Sequence, residues 1–195
     1  MQNENKKAYR VKDLIVTALL AVCAVLIYML CAVLSFSPYT MLAVSPLWSL
    51  LAGITYFLTA VKTKRSWAMF IFCTLTGIYG FYPPMMICCA VAGVISALIS
   101  RKTGCTNRKS LTVSYIIFMV TAAISGMYIP FLFFSKQTLE QYTEMFGADY
   151  LGILQTLVSP VIAVVMLIVV AICAFFGAVI AQKLLKKHFV KAGVV

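Results

Sequence analysis

The chain has 195 residues, of which 63% are hydrophobic and only 11% charged, with a formal net charge of +11. Soluble domains are about half apolar and about a quarter charged, so this composition excludes a soluble domain and leaves an integral membrane protein. The length accommodates about six spans of ~20 residues and excludes a separate soluble catalytic, nucleotide-binding or DNA-binding domain.

A basic N-terminus (Lys6, Lys7, Arg10, Lys12) leads into the first apolar segment, Leu14–Ser35. At about 22 residues it exceeds a signal-peptide core and five more segments follow, so it reads as a retained anchor helix. It carries Thr17, Ala18, Ala21 and Ala24 at helical spacings. Small residues so placed let helices approach closely in lipid, either within the chain or as a docking face for another membrane protein.

The second segment, Thr40–Val61, follows an outer link bearing Tyr39; Trp48 and Tyr56 lie deeper and read as core. After Lys62, Lys64 and Arg65 come Trp67–Phe81 and Met85–Ser100, with Pro83 and Pro84 between them. Two prolines cannot continue a helix, which predicts a hairpin turning at the outer side. Arms of about 24 Å each would fall short of the ~30 Å hydrocarbon core and leave a depression open to the outside.

Arg101, Lys102, Arg108 and Lys109 precede the fifth segment, Leu111–Phe134, which carries Ser125 and Tyr128. The stretch Thr138–Val158 is too polar to span. Leu139, Tyr142, Met145 and Phe146 fall near helical spacing in it, which predicts a short amphipathic piece on the outer surface. Ser159 and Pro160 are a helix cap and first-turn proline for the last segment, Ser159–Ala181. Ala171, Ala174, Gly177, Ala178 and Ala181 give that segment a second line of small residues, ahead of Lys183, Lys186, Lys187, His188 and Lys191.

Fifteen of the 16 basic residues fall on alternate links; the exception, Lys136, shares the fifth link with Glu140, Glu144 and Asp149. The positive-inside rule then places both termini in the cytoplasm of a cell (plasma) membrane protein. The expected fold is an all-α integral membrane protein of about six transmembrane helices with a short third/fourth helical hairpin. It forms a single membrane domain over 1–195: cytoplasmic N-terminus 1–13, six-span core 14–181 and basic cytoplasmic tail 182–195.

No Asp, Glu, Lys, Arg or His lies inside these segments. Such residues mark proton relays, ion-coupled carriers and voltage sensors, so their absence argues against an autonomous proton-coupled pump. The only histidine is His188, in the tail, which leaves no Ser/His dyad or HExxH zinc site, and there is no GxxxxGK[ST] loop. No enzyme, cofactor or metal is expected. The seven cysteines (Cys23, Cys31, Cys73, Cys88, Cys89, Cys105, Cys173) show no CxxC pair and read as packing residues, with a vicinal redox pair at Cys88 and Cys89 the alternative. The basic residues are spread over four links, so no nucleic-acid partner is expected; they set orientation and meet anionic membrane lipid.

What remains is aromatic and neutral-polar. Tyr39, Thr40, Tyr79, Tyr82, Tyr128 and Gln155 gather on the outer side, with Asp149 and Tyr150 on the link above. They could form an interfacial belt. They could also wall a lidded cup for an uncharged or zwitterionic vitamin-sized solute, held by aromatic stacking and a few hydrogen bonds.

The tail Lys183–Gly193 resembles the closing motif of the Trep_Strep-type family, the MptD-family ECF transporter S components. Phe146–Tyr150 is similar to that family's outer-loop stretch, and Tyr9–Leu14 to its approach to the first span. The resemblance implies a substrate-binding subunit of an energy-coupling factor transporter. Such a subunit captures a vitamin-like solute outside and works with a transmembrane T component and two cytoplasmic ATPase subunits. It further implies a docking pattern of small residues on the first span, to which Thr17 and Ala21 are the nearest match; Thr17, Ala18, Ala21, Ala24, Ala174 and Ala178 are the docking candidates. The alternatives are a small self-sufficient carrier or channel, and a membrane sensor or assembly protein.

Overall fold

A computed structural model describes residues 11–78, 83–105, 107–130, 140, 144 and 147–186, the last stretch without the side chains of Ala148 and Gln155. Every regular element among them is helical. Helix α1 (Val11–Ala32) passes through a 3₁₀ turn (Val33–Phe36) to α2 (Pro38–Leu51) and α3 (Gly53–Thr63). Then come α4 (Ser66–Ile78), α5 (Pro83–Thr103) and α6 (Arg108–Ala123), which continues into a π-helical turn (Ile124–Tyr128). Helices α7 (Ala148–Leu157) and α8 (Pro160–Leu184) complete the described chain.

Five stretches are long and apolar enough to cross a membrane: Val11–Phe36, Pro38–Thr63, Pro83–Thr103, Arg108–Tyr128 and Pro160–Leu184. Helix α4 is the shorter apolar one, at 13 residues. The described part of the first arm of the expected hairpin is about 20 Å at 1.5 Å per residue. The second arm, α5, has 21 residues, long enough to span. Its first turn contains both prolines, whose missing N–H groups cost nothing there and whose fixed φ suits helix initiation. The prolines begin the arm instead of forming the turn, so a depression made by two stunted arms is not what this fold contains.

Helix starts follow local chemistry. The Asn107 side chain accepts from the Ser110 N–H at 3.4 Å, and the Ser159 hydroxyl accepts from Ile162 N–H at 3.4 Å with Pro160 following. Both caps satisfy backbone donors that the first helical turn leaves open. At the other end of α3, Lys64 adopts the left-handed conformation (φ 53°) that closes the helix.

Small residues set the packing. A Cβ on Gly177 of α8 would lie 2.6 Å from the carbonyl oxygens of Ser49 and Leu50, and one on Gly53 2.8 Å from the Gly177 oxygen. Backbones of α8 and of the α2–α3 junction touch here, and only glycine permits it. The Tyr115 hydroxyl donates to Ser49 O at 2.6 Å, and the Ser49 hydroxyl donates to Pro46 O at 2.7 Å. Polar backbone exposed by the helix break is thereby satisfied inside the bundle, as an apolar membrane demands. Tyr56, Phe57, Phe72, Tyr115 and Phe118 pack around this junction, with Tyr56 O–H and Ser114 Oγ 2.8 Å apart.

The starts of α1, α4 and α6 and the ends of α3, α5 and α8 share one end of the bundle. Asp13 and Arg65 pair there at 3.2 Å, and Gln182 donates to Thr112 Oγ1 at 2.8 Å. The described cationic residues Lys12, Lys62, Lys64, Arg65, Arg101, Lys102, Arg108, Lys109, Lys183 and Lys186 all belong to this end. The charged links thus converge as the alternating pattern predicts.

Candidate functional site

At the opposite end, α1, α2 and the π-helical turn enclose a cavity of about 50 Å³. Its deep wall is Tyr28 and Trp48, its flank Val44, Ser45, Ala122, Gly126 and Met127, and its rim Ser35 and Met41. None of these side chains carries a charge. Three local irregularities build it. Pro46 lacks an N–H, so the Leu42 carbonyl loses its helical donor within α2. The π turn at Ile124–Tyr128, where the Ile129 N–H reaches Ile124 O, widens α6 beside it; single π turns of this kind occur often at functional sites. The 3₁₀ turn Val33–Phe36 then bends the chain over the top from α1 into α2.

Trp48 is fixed from three directions. Its indole N–H donates to Ala24 O at 3.0 Å, Tyr28 meets it edge-on at 5.3 Å, and Phe118 lies at 6.4 Å below. An indole bound this way is a rigid aromatic wall, able to stack against a ligand with little further loss of freedom.

Helix α7 covers the rim. The Tyr150 hydroxyl donates to Ser35 O at 2.7 Å and lies 3.4 Å from Met41 Sδ, so it contacts two rim residues at once. Burial of the Tyr150 phenol pushes its pKa above the ordinary value, keeping it a donor. Behind it, Met127, Tyr128, Leu154, Val158 and Ala163 form a small apolar cluster that seats α7 on α8 and the π turn. Packing thus seats α7, and the Tyr150 hydroxyl reaches Ser35 and Met41 at the rim.

The predicted site residues distribute unevenly around this cavity. Tyr150 touches the rim. Tyr128 is buried in the cluster behind the cover, without lining the cavity. Tyr39 is 64% exposed and points away from the bundle. The Thr40 hydroxyl donates to Leu34 O and to Ser37 O, at 3.1 Å for the latter, and so ties down the α1–α2 corner. Asp149 is exposed on α7. Tyr79, Tyr82 and the Gln155 side chain lie outside the described residues. The residues missed by the sequence reading are Tyr28, Ser35, Ser45, Val44, Met41 and the π-turn backbone; the one signal for them was the small hydroxyls Ser35 and Ser45 inside otherwise apolar runs.

The small-residue candidates pack inward. Thr17, Ala21, Ala24, Ala174 and Ala178 are all buried within the chain and Ala18 is half-buried. Their close contacts are made to the chain's own helices, so a bulky residue at Ala21 would strain the fold before it touched a partner. The outward faces of α1 and α8 are apolar instead, with Leu19, Val22 and Leu26 on one and Val164, Ile168 and Ile172 on the other. Among the described residues no group of three or more His, Cys, Asp or Glu side chains converges, so none of them suggests a metal centre.

A family model described as a hypothetical bacterial integral membrane protein (Trep_Strep) covers residues 11–191. No curated protein and no solved structure matches the chain.

Proposed function

The chain belongs to the Trep_Strep family of bacterial integral membrane proteins, and from that premise we propose that it is the substrate-binding subunit, or S component, of an energy-coupling factor transporter. The observation that carries the reading is the covered, uncharged cavity at the end opposite the basic residues. With the basic end in the cytoplasm, as the charge bias favours, that cavity faces outward, where solute must be captured.

The cavity's chemistry selects an uncharged or zwitterionic molecule with an apolar face for Trp48 and hydrogen-bonding groups for Ser35 and Ser45. In its present shape it has room for only a few waters, whereas pockets for vitamin-sized ligands run to about 300–1,000 Å³. Capture of such a solute therefore requires α7 to swing off the rim, breaking the Tyr150–Ser35 bond.

The sequence contains no phosphate-binding loop and no Asp, Glu, Lys, Arg or His inside the apolar segments to supply energy for uptake. The reading assigns that task to a T component and two ATPase subunits, bound from the cytoplasmic side. Affinity purification from native membranes tests it. Co-purification of an ATPase pair with a second membrane subunit, and ATP-dependent uptake only by the full set, are expected. Uptake by the isolated chain in vesicles would instead make it a self-sufficient carrier.

A further inference from the structure

We infer that the outer groove between α4 and α5 is a binding site for an anionic glycerophospholipid of the leaflet at the basic end. The groove has a volume of about 460 Å³ and is lined by Ser66, Trp67, Phe70, Val94, Ala97, Leu98 and Arg101. Its polarity is graded along its length. Ser66, Trp67 and Arg101 stand at the basic end, while Phe70, Val94, Ala97 and Leu98 make the remainder wholly apolar.

Helix geometry closes one end and opens the other. A Cβ on Gly93 would sit 3.0 Å from Phe70 O and 3.1 Å from Cys73 Cβ, so the two helices are in near backbone contact there. From that point α5 runs on to Thr103, past the start of α4 at Ser66. Between Gly93 and Arg101 the groove extends about 12 Å at 1.5 Å per residue. That length takes the upper part of one acyl chain, with the ester region beside Ser66 and Trp67.

Charge decides the headgroup. Arg65 is paired with Asp13. Arg101 and its neighbour Lys102 are exposed, with no ion-pair partner among the described residues. A guanidinium at the interface offers several donors to a phosphate and a favourable field to a net anionic headgroup. A tryptophan at the same level suits the headgroup boundary. A neutral helix from another protein would leave this cation unmatched, whereas an anionic lipid satisfies both halves of the groove.

Lipid titration of the purified full chain, followed by native mass spectrometry, tests the proposal with dioleoyl phosphatidylglycerol and dioleoyl phosphatidylcholine, which share their acyl chains. Phosphatidylglycerol should bind more tightly to the wild type, and Arg101→Gln should weaken it about 5-fold while leaving phosphatidylcholine unchanged. Ala97→Phe, which fills the groove with charge intact, should weaken both; Val94→Trp at an exposed position serves the same purpose if Ala97→Phe folds poorly. Lys183→Gln, at the same end but away from the groove, should change neither. Equal losses from Arg101→Gln and Lys183→Gln, or undiminished binding in both groove-filling variants, would overturn the site.

Discussion

The Tyr150 hydroxyl donates a 2.7 Å hydrogen bond to the carbonyl of Ser35, across 115 positions of sequence. It links α7 to the turn that roofs the cavity. One neutral hydrogen bond contributes about 0.5–1.5 kcal/mol net.

Tyr150→Phe removes that bond while keeping the ring in place. Amide exchange across residues 148–157 should accelerate by roughly 2- to 12-fold, the range that corresponds to the loss of one such bond. Tyr39→Phe, at an exposed ring, should leave exchange unchanged. Equal rates in wild type and Tyr150→Phe would show that the bond does not hold the cover.

The same phenol predicts a pH dependence. Burial raises its pKa above the usual value of about 10, so its contribution to closure is complete below that value. The contribution is lost as pH rises through the raised value, when the phenolate can no longer donate to Ser35 O. The ratio of α7 exchange rates, Tyr150→Phe over wild type, should therefore fall towards one as pH rises through the raised value, a comparison in which the base-catalysed rise common to all amides cancels.

Backbone contact at Gly177 gives a stability test. Gly177→Ala places a methyl 2.6 Å from two carbonyl oxygens, and overpacking of this kind costs about 1–3 kcal/mol. A lowered melting temperature in detergent is expected. Gly152→Ala on α7, where an added Cβ meets nothing within 4 Å, should stabilise by up to about 1 kcal/mol through helix propensity alone. The reverse order of the two would contradict the described packing.

How far the sequence discloses this architecture depends on the range of the forces involved. Apolar segments, the convergence of basic links and the Ser159–Pro160 start are local or one-dimensional patterns, and they match the described helices. Within the α4–α5 hairpin the prolines fall in the first turn of α5, because a proline pair is compatible with both a turn and a first helical turn and only the fold distinguishes them. Ala21, Ala24, Ala174 and Ala178 were ambiguous for a related reason: small residues mark close approach without saying to what. The cavity was hidden because it arises where Pro46, the 3₁₀ corner and the π turn meet, three distortions from distant parts of the chain. Tyr39 and Thr40 lie at the end opposite the basic residues, but side-chain direction at a tight corner is set by geometry that spacing does not encode.

Orientation is tested separately by cysteine labelling of intact cells. A cysteine replacing exposed Asp149 should react with an impermeant maleimide, and one replacing exposed Lys102 should react only after permeabilisation. The opposite pattern would place the cavity on the cytoplasmic side and remove the basis for outward capture.

Native mass spectrometry of the small molecules that co-purify with the detergent-solubilised protein tests the capture of solute most directly. The account predicts one uncharged or zwitterionic solute retained by the wild type and lost from Ser45→Leu, a variant that fills the cavity between α2 and α6 with the bundle otherwise intact. A folded Ser45→Leu protein that retains the same solute at the same occupancy would contradict it.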